Sequence, residues 1–433
     1  MSNTPSRIAI IIFASACAAS AHGQDTIIEW NQELLESIRV SNTAPPAAAR
    51  QMAMVHLAAY EAVNSIDRSY RPYRSYYDCP SGTSKEAAAA VAARNVLAGM
   101  YPARTAQFDA RLAAQLGVLP AGLSKDDGIT LGGQASAGIM SMRSADGSGG
   151  AAPAVADGTL PGQWRRTVPA FANPALPHWG GVAPFAVTSA TQFDPGPAPE
   201  LSSAAYLSGY NEVRELGSAT SGTRTAYQTD TAFLWRAGGD TVTPPGQWNQ
   251  IAQQIAVSRG QSIDENARMF ALLGMAVADA GVTSWHAKYE DMLWRPITGI
   301  QLGDVDGVDG TVGDSAWQPL FATPNHPSFT SGHSTFSSAA AAVLADFVGS
   351  DLVTFTVSGD GRTREYHRLS DAMEDAGMSR IYGGIHWQMD NVAGLASGSA
   401  VGSWVYGNSL TVPGPGAAAL LLAGLAINRR RRV

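Results

Sequence analysis

The stretch SIDENARMFALLGMAVADAGVTSWHAKYEDMLW, Ser262 to Trp294, decides the fold. Apolar residues recur along it at helical spacing, so it reads as one long helix, with Gly274 and Gly281 as places for a bend. The same periodicity appears on both sides. Upstream lie PPAAARQMAMVHLAAYEAVNSI (Pro45–Ile66), KEAAAAVAARNVLAGMY (Lys85–Tyr101), ARTAQFDARLAAQL (Ala103–Leu116), the stretch from Gly128, SAAYLSGYNEVREL (Ser203–Leu216), TRTAYQTDTAFLWRA (Thr223–Ala237) and PPGQWNQIAQQIAVSRG (Pro244–Gly260). Downstream is SGHSTFSSAAAAVLADFVG (Ser331–Gly349). Ala151 to about Gln192 is rich in Pro, Gly and Trp and predicts a long ordered loop over the helices. Strand-like pieces such as LVTFTV (Leu352–Val357) are a minority. The expected fold is all-α, built of helical bundles in two four-helix-bundle-like units. Its expected parts are residues 24–200, an N-terminal helical region with the long loop, and 201–411, a C-terminal helical catalytic region.

Three blocks in the second half carry chemistry. In KYEDMLWRP, Lys288 and Arg295 are seven apart, which on a continuous helix puts them on one face. In NHPSFTSGHSTF, Ser331 and Gly332 open a helix and His333 falls in its first turn, where free N–H groups and the helix dipole make an oxyanion cradle. In SRIYGGIHWQMD (Ser379–Asp390), the Gly383-Gly384 pair predicts a break with a new helical turn after it. His386 and Asp390 then share a helical face, with Arg380 folding back toward it. Each block alone has a plainer reading: a solvated helix face, a capped helix start, a core or surface histidine. Their joint order supplies three cations, a hydroxyl, backbone donors and two imidazoles, which suits an oxyanion of two or more negative charges.

The ordered spacing K-x6-R-P, S-G-H and S-R-x5-H-x3-D resembles the vanadium-dependent haloperoxidases and the type 2 phosphatidic acid phosphatases that share their site. AAARQMAMVHLAAYEAVNSI, TAYQTDTAFLW and PPGQWNQIA resemble the bacterial haloperoxidase-like branch. Thr330 stands where that family often has Pro. The resemblance implies vanadate as cofactor. His386 would bond the vanadium through a ring nitrogen. Lys288, Arg295 and Arg380 would bind its equatorial oxygens, with Ser331 and the Gly332 N–H adding hydrogen bonds. His333 would touch the opposite apical oxygen as general acid/base, and Lys288 would polarise bound peroxide. Asp390 would fix the tautomer of His386 or hold an arginine. His326 and Trp285 would face the halide. The family typically has His at the former position in bromoperoxidases, and the fungal chloroperoxidase has Trp at the latter, so this chain mixes the two patterns.

Three functions compete. The first is oxidation of halide, bromide and iodide preferred, by hydrogen peroxide, with a small organic acceptor. The second is a phosphomonoesterase using the same pocket with a phosphohistidine at His386. The third is a non-catalytic surface or matrix protein.

The chain ends add a location. Met1–Gly23 has Arg7, an apolar run and small residues before the expected cleavage, and reads as a signal peptide. Val412–Val433 has a Pro/Gly break, a short apolar run and four arginines, and resembles a PEP-CTERM sorting tail. That implies an exosortase-type processing enzyme and delivery to the surface or extracellular matrix of a Gram-negative bacterium. The net charge of -7 excludes a nucleic-acid binder, and losing both ends removes basic residues only. Of two cysteines only Cys79 lies in the body, so no internal disulfide or cysteine metal site is expected. A homodimer is compatible with all of this.

Overall fold

The computed structural model describes residues 25–413. The signal-peptide and sorting-tail segments lie outside the described residues, apart from the tail's first two positions. Helices dominate in chain order: α1 (Thr26–Val40), α2 (Pro45–Asp67), α3 (Lys85–Met100), α4 (Thr105–Val118), α5 (Leu123–Arg143), α6 (Ala204–Leu216), α7 (Ala226–Leu234), α8 (Thr243–Arg259), α9 (Ile263–Asp291), α10 (Pro296–Gln301) and α11 (Gly332–Val348). An antiparallel hairpin follows, β1 (Leu352–Gly359) with β2 (Arg362–Arg368), then α12 (Leu369–Tyr382) and α13 (Gln388–Asn408). The all-α reading holds, and the LVTFTV stretch is indeed a strand.

The decisive stretch is a single helix. Ser262 and Glu265 form a capping box that satisfies the free N–H groups at its start. Gly274 and Gly281, expected as bend points, lie within an unbroken helix and serve contact. A Cβ at Gly274 would sit 2.8 Å from the Ala53 Cα, so the missing side chain lets α9 approach α2. The largest core cluster runs from Leu34 and Met52 through Phe270 and Leu273 to Phe336 and Val401. It joins helices on both sides of residue 200, a position that falls in the connection between α5 and α6.

α11 and α13 pack closest where the site lies. Gly394, Gly398 and Gly402 form an i, i+4, i+8 stripe on α13. A Cβ at these positions would lie 2.8 Å from Ser331 O, 2.1 Å from Ser338 Oγ and 2.4 Å from Ala339 O. The stripe therefore brings the two helix starts together, and the Ser331 N–H donates to Asp390 O at 2.9 Å across the junction.

The loop from Ser144 to Ser203 contains one 3-10 turn, Trp179–Gly181. It lies on α9 through Asp279, a buried carboxylate that accepts the N–H groups of Phe185, Ala186 and Val187 at 2.6, 2.7 and 2.9 Å. Burial outweighs these donors and raises the Asp279 carboxyl to about 6. An unfolded aspartate titrates near about 3.9, so the native chain holds the extra proton between those values. The resulting stability is full below about pH 4 and is lost as pH rises through about 6. Asp279→Ala should therefore cost about 2–3 kcal/mol at pH 5, the scale of a lost buried hydrogen-bond group. The gap to wild type should narrow by pH 8. Urea denaturation at both pH values checks this, and a gap that widens with pH would refute it.

Candidate active site

The three predicted blocks converge at one cleft of about 620 Å3. Trp285, His326, Gly332, His333, Arg380 and His386 line it. Lys288, Arg295, Ser331 and Asp390 stand buried behind that wall.

The α12–α13 junction forms where α12 stops at Tyr382. Gly384 takes φ +74°, and a Cβ there would meet Gly217 O at 2.3 Å, so only glycine suits the turn. His386 lies in this turn, not on a helix as the spacing suggested. Trp387 is the N-cap of α13 and Asp390 its third residue. Asp390 Oδ2 accepts from the Trp387 N–H at 3.0 Å, from the Ser328 hydroxyl, and from His386 Nδ1 at 2.8 Å. The pairing expected from a shared helix face thus arises from helix capping. Because the carboxylate accepts, His386 Nδ1 carries the proton and Nε2 presents its lone pair. Burial, then the charge of Arg295, keeps the His386 ring neutral by holding its pKa well below the usual range. Burial also raises Asp390, to about 6.

Lys288 and Arg295 do not share a helix. α9 stops at Asp291, Met292 takes the left-handed conformation at φ +48°, and Arg295 caps α10. Arg295 nonetheless reaches the centre. Its Nη1 donates to His386 Nε2 at 3.0 Å and to Ile385 O at 2.6 Å, its Nη2 to His326 Nδ1 at 2.9 Å, and its Nε to His326 O at 2.8 Å. One guanidinium therefore spans both imidazoles. It also fixes the proton of neutral His326 on Nε2, since a guanidinium only donates. The His326 ring lies 5.0 Å from Trp285. Lys288 Nζ donates to the carbonyls of Pro327, Ser328 and Thr330, so all three of its protons hold the loop before α11. Burial, then Arg295, lowers its pKa well below the usual value. To meet an oxyanion, Lys288 must exchange one of these bonds. The hydroxyl of Thr330 is 2.9 Å from Ser284 Oγ.

α11 starts as expected. Ser331 is the N-cap and its hydroxyl accepts the Ser334 N–H at 3.3 Å. The N–H groups of Gly332 and His333, first in the helix, have no acceptor within it. A Cβ at Gly332 would come within 3.3 Å of the Trp285 ring. His333 is half-buried, with Nε2 3.2 Å from Arg236 O. Arg380 Nη1 lies 3.4 and 3.3 Å from Trp235 O and Arg236 O, while its buried Nε has no partner. Burial, then Arg295, lowers the Arg380 guanidinium to about 9.

The sequence left out Arg236, Phe233 and Phe321, which also line the cleft. Arg236 pairs with Asp360 and lies over the Phe321 ring at 5.7 Å. It directly follows the quoted TAYQTDTAFLW stretch, the one local signal that could have raised it.

The donor set fits a vanadate oxyanion. Guanidinium groups, helix-start N–H groups and a neutral imidazole converge, an Arg380 N–H is unpaired, and no carboxylate among the described residues lines the cleft. Among the described residues no cluster of three or more His, Cys, Asp or Glu could hold a bare metal ion.

Comparison with known proteins supports the same fold. Residues 268–412 match the family described as the VCPO second helical-bundle domain. The chain shares the helical fold of solved vanadium haloperoxidases, and the matched part corresponds to a second bundle of that kind. The vanadium chloroperoxidase of Curvularia inaequalis is 26% identical over 396 residues, 72% of this chain and 64% of its own length. The chain thus spans just under two thirds of that relative. A structure described as the first bacterial vanadium-dependent iodoperoxidase superposes with TM-score 0.78 at 25% identity, over 90% of this chain and 97% of that one. A holo-type bacterial vanadium-dependent chloroperoxidase shares the fold, with TM-score 0.65 at 16% identity over 84% and 91% of the two chains.

Proposed function

We propose that this chain is a vanadate-dependent haloperoxidase that oxidises bromide and iodide with hydrogen peroxide. The observation that carries the reading is His386. Its proton is fixed on Nδ1 by Asp390, its ring lines a cleft shared with Arg380, His333 and the start of α11, and its Nε2 would become a ligand by exchanging the hydrogen bond it accepts from Arg295. When bound, vanadate supplies a Lewis-acidic centre that activates hydrogen peroxide toward halide without changing oxidation state. Arg380, Arg295 and the Gly332 N–H neutralise and orient the oxyanion, with Lys288 joining on release of a carbonyl. His333 takes and returns a proton at Nδ1, because its Nε2 is tied to Arg236 O. Trp285, Phe336 and Leu176 keep the halide side of the cleft apolar. Hypohalous acid or its equivalent then halogenates a small organic acceptor. The apolar segments at 1–23 and 412–433 support export and surface sorting by an exosortase-type enzyme, which keeps a toxic oxidant outside the cell.

The halide preference rests on His326. Its Nε2–H, the tautomer fixed by Arg295, adds a polar group to the cleft where an apolar ring would keep it dry. A halide left hydrated there is a poorer nucleophile, chloride most of all. Bromide and iodide are easier to oxidise than chloride, so they should turn over with little chloride turnover. His326→Phe should raise the chloride-to-bromide ratio by about tenfold, the effect of roughly one 1.4 kcal/mol change in relative barrier. Steady-state assays with the three halides test this. Efficient wild-type chloride oxidation, or an unchanged ratio in the variant, would remove His326 from this role.

A further inference from the structure

Three contacts run from the β1–β2 hairpin to the back of the site. Gly359, ending β1, is pressed on α7: a Cβ there would lie 2.2 Å from Leu234 O. Tyr366 of β2 accepts the Trp235 indole N–H at 3.0 Å and donates to Asp375 at 2.7 Å. Asp360, in the hairpin turn, lies 2.6 Å from the Arg236 guanidinium, a close ion pair without hydrogen-bond alignment. The hairpin therefore grips Leu234, Trp235 and Arg236 in succession.

Those residues carry the carbonyls that face the site. Arg236 O meets His333 Nε2, and Trp235 O and Arg236 O meet Arg380 Nη1. These are the hydrogen-bond partners the structure gives either side chain. A carbonyl only accepts, so its position decides that His333 carries its proton on Nε2 and turns the Nδ1 lone pair elsewhere. We infer that the hairpin is a strut for the site, with Asp360 and Tyr366 as positioning residues. By holding the Trp235 and Arg236 carbonyls they set the tautomer of His333 and the reach of Arg380. The inference rests on the haloperoxidase reading only for its rate measurement, because the tautomer is a property of the vanadate-free chain.

The test uses the full, nitrogen-15-labelled chain without vanadate, with the His333 signals assigned by comparison with His333→Gln. Long-range proton–nitrogen spectra of the imidazoles should show wild-type His333 as a single Nε2–H tautomer. Asp360→Asn combined with Tyr366→Phe should shift it to a mixture. In the vanadate-loaded protein, kcat for bromide oxidation should fall about tenfold with KM for bromide within about twofold, the usual scale for losing an outer-shell partner. Asp360→Glu should keep the single tautomer and the rate. If the double variant does not fold, Asp360→Asn alone decides, since it removes one half-exposed ion pair. An Nδ1–H tautomer in wild type, or an unaltered tautomer in the folded variant, overturns the inference, whatever the turnover.

Discussion

His386→Ala is expected to abolish vanadate binding and haloperoxidase turnover together while leaving the fold in place. The ring is the cleft's one imidazole with a carboxylate on one nitrogen and a guanidinium on the other. That pairing holds a neutral ring with little freedom to turn, its Nε2 lone pair kept by Arg295 until an oxyanion replaces that bond. Alanine removes the lone pair and leaves Arg295 with its bonds to Ile385, His326 O and His326 Nδ1. Asp390 keeps its Trp387 and Ser328 donors. The stability loss should stay near about 1–3 kcal/mol, the cost of a buried polar group losing one partner. Vanadium-51 NMR titration alongside a thermal melt separates the two effects. Wild-type vanadate affinity in the folded variant would show that another group holds the oxyanion.

Asp390→Ala should have the largest effect on stability. Its carboxylate gathers three donors in a dry site and offsets the charges of Lys288 and Arg295, both fully buried. Removing it leaves two buried cations without that partner, and breaking such a cluster costs about 3–5 kcal/mol. It also frees the start of α13 from its cap and lets His386 change tautomer. Asp390→Asn keeps the shape without the charge, and should recover part of the stability but not the turnover. Urea denaturation of the three proteins measures this. An alanine variant within about 1 kcal/mol of wild type would mean that the cations are solvated, contrary to the burial described.

Much of this was legible because it is local. Ser-Gly-His names its own helix start, since a capping hydroxyl and a first-turn histidine need no distant partner. Helical periodicity gave the bundle class for the same reason. The misreadings came where a chain break changes geometry. Seven-residue spacing cannot show that Met292 turns left-handed and ends α9 before Arg295. Four-residue spacing made a helix face of His386 and Asp390, where the structure uses a cap. Arg236, Phe233 and Asp279 stayed hidden for another reason. Their roles depend on a hairpin and a long loop folding back over distant helices, and their side chains look ordinary in their own segments.

On the proposed reading, one oxyanion site should run halide oxidation on bound vanadate. The most direct measurement is peroxide-dependent bromide oxidation by the vanadate-stripped full chain, titrated with vanadate, with phosphate as competitor and phosphate-ester hydrolysis followed in parallel. No bromide oxidation is expected before vanadate is added. Turnover should saturate at one vanadate per chain, with loss of activity at high phosphate. Bromide oxidation that ignores vanadate, or a chain that hydrolyses the phosphate ester and never oxidises bromide, would contradict it.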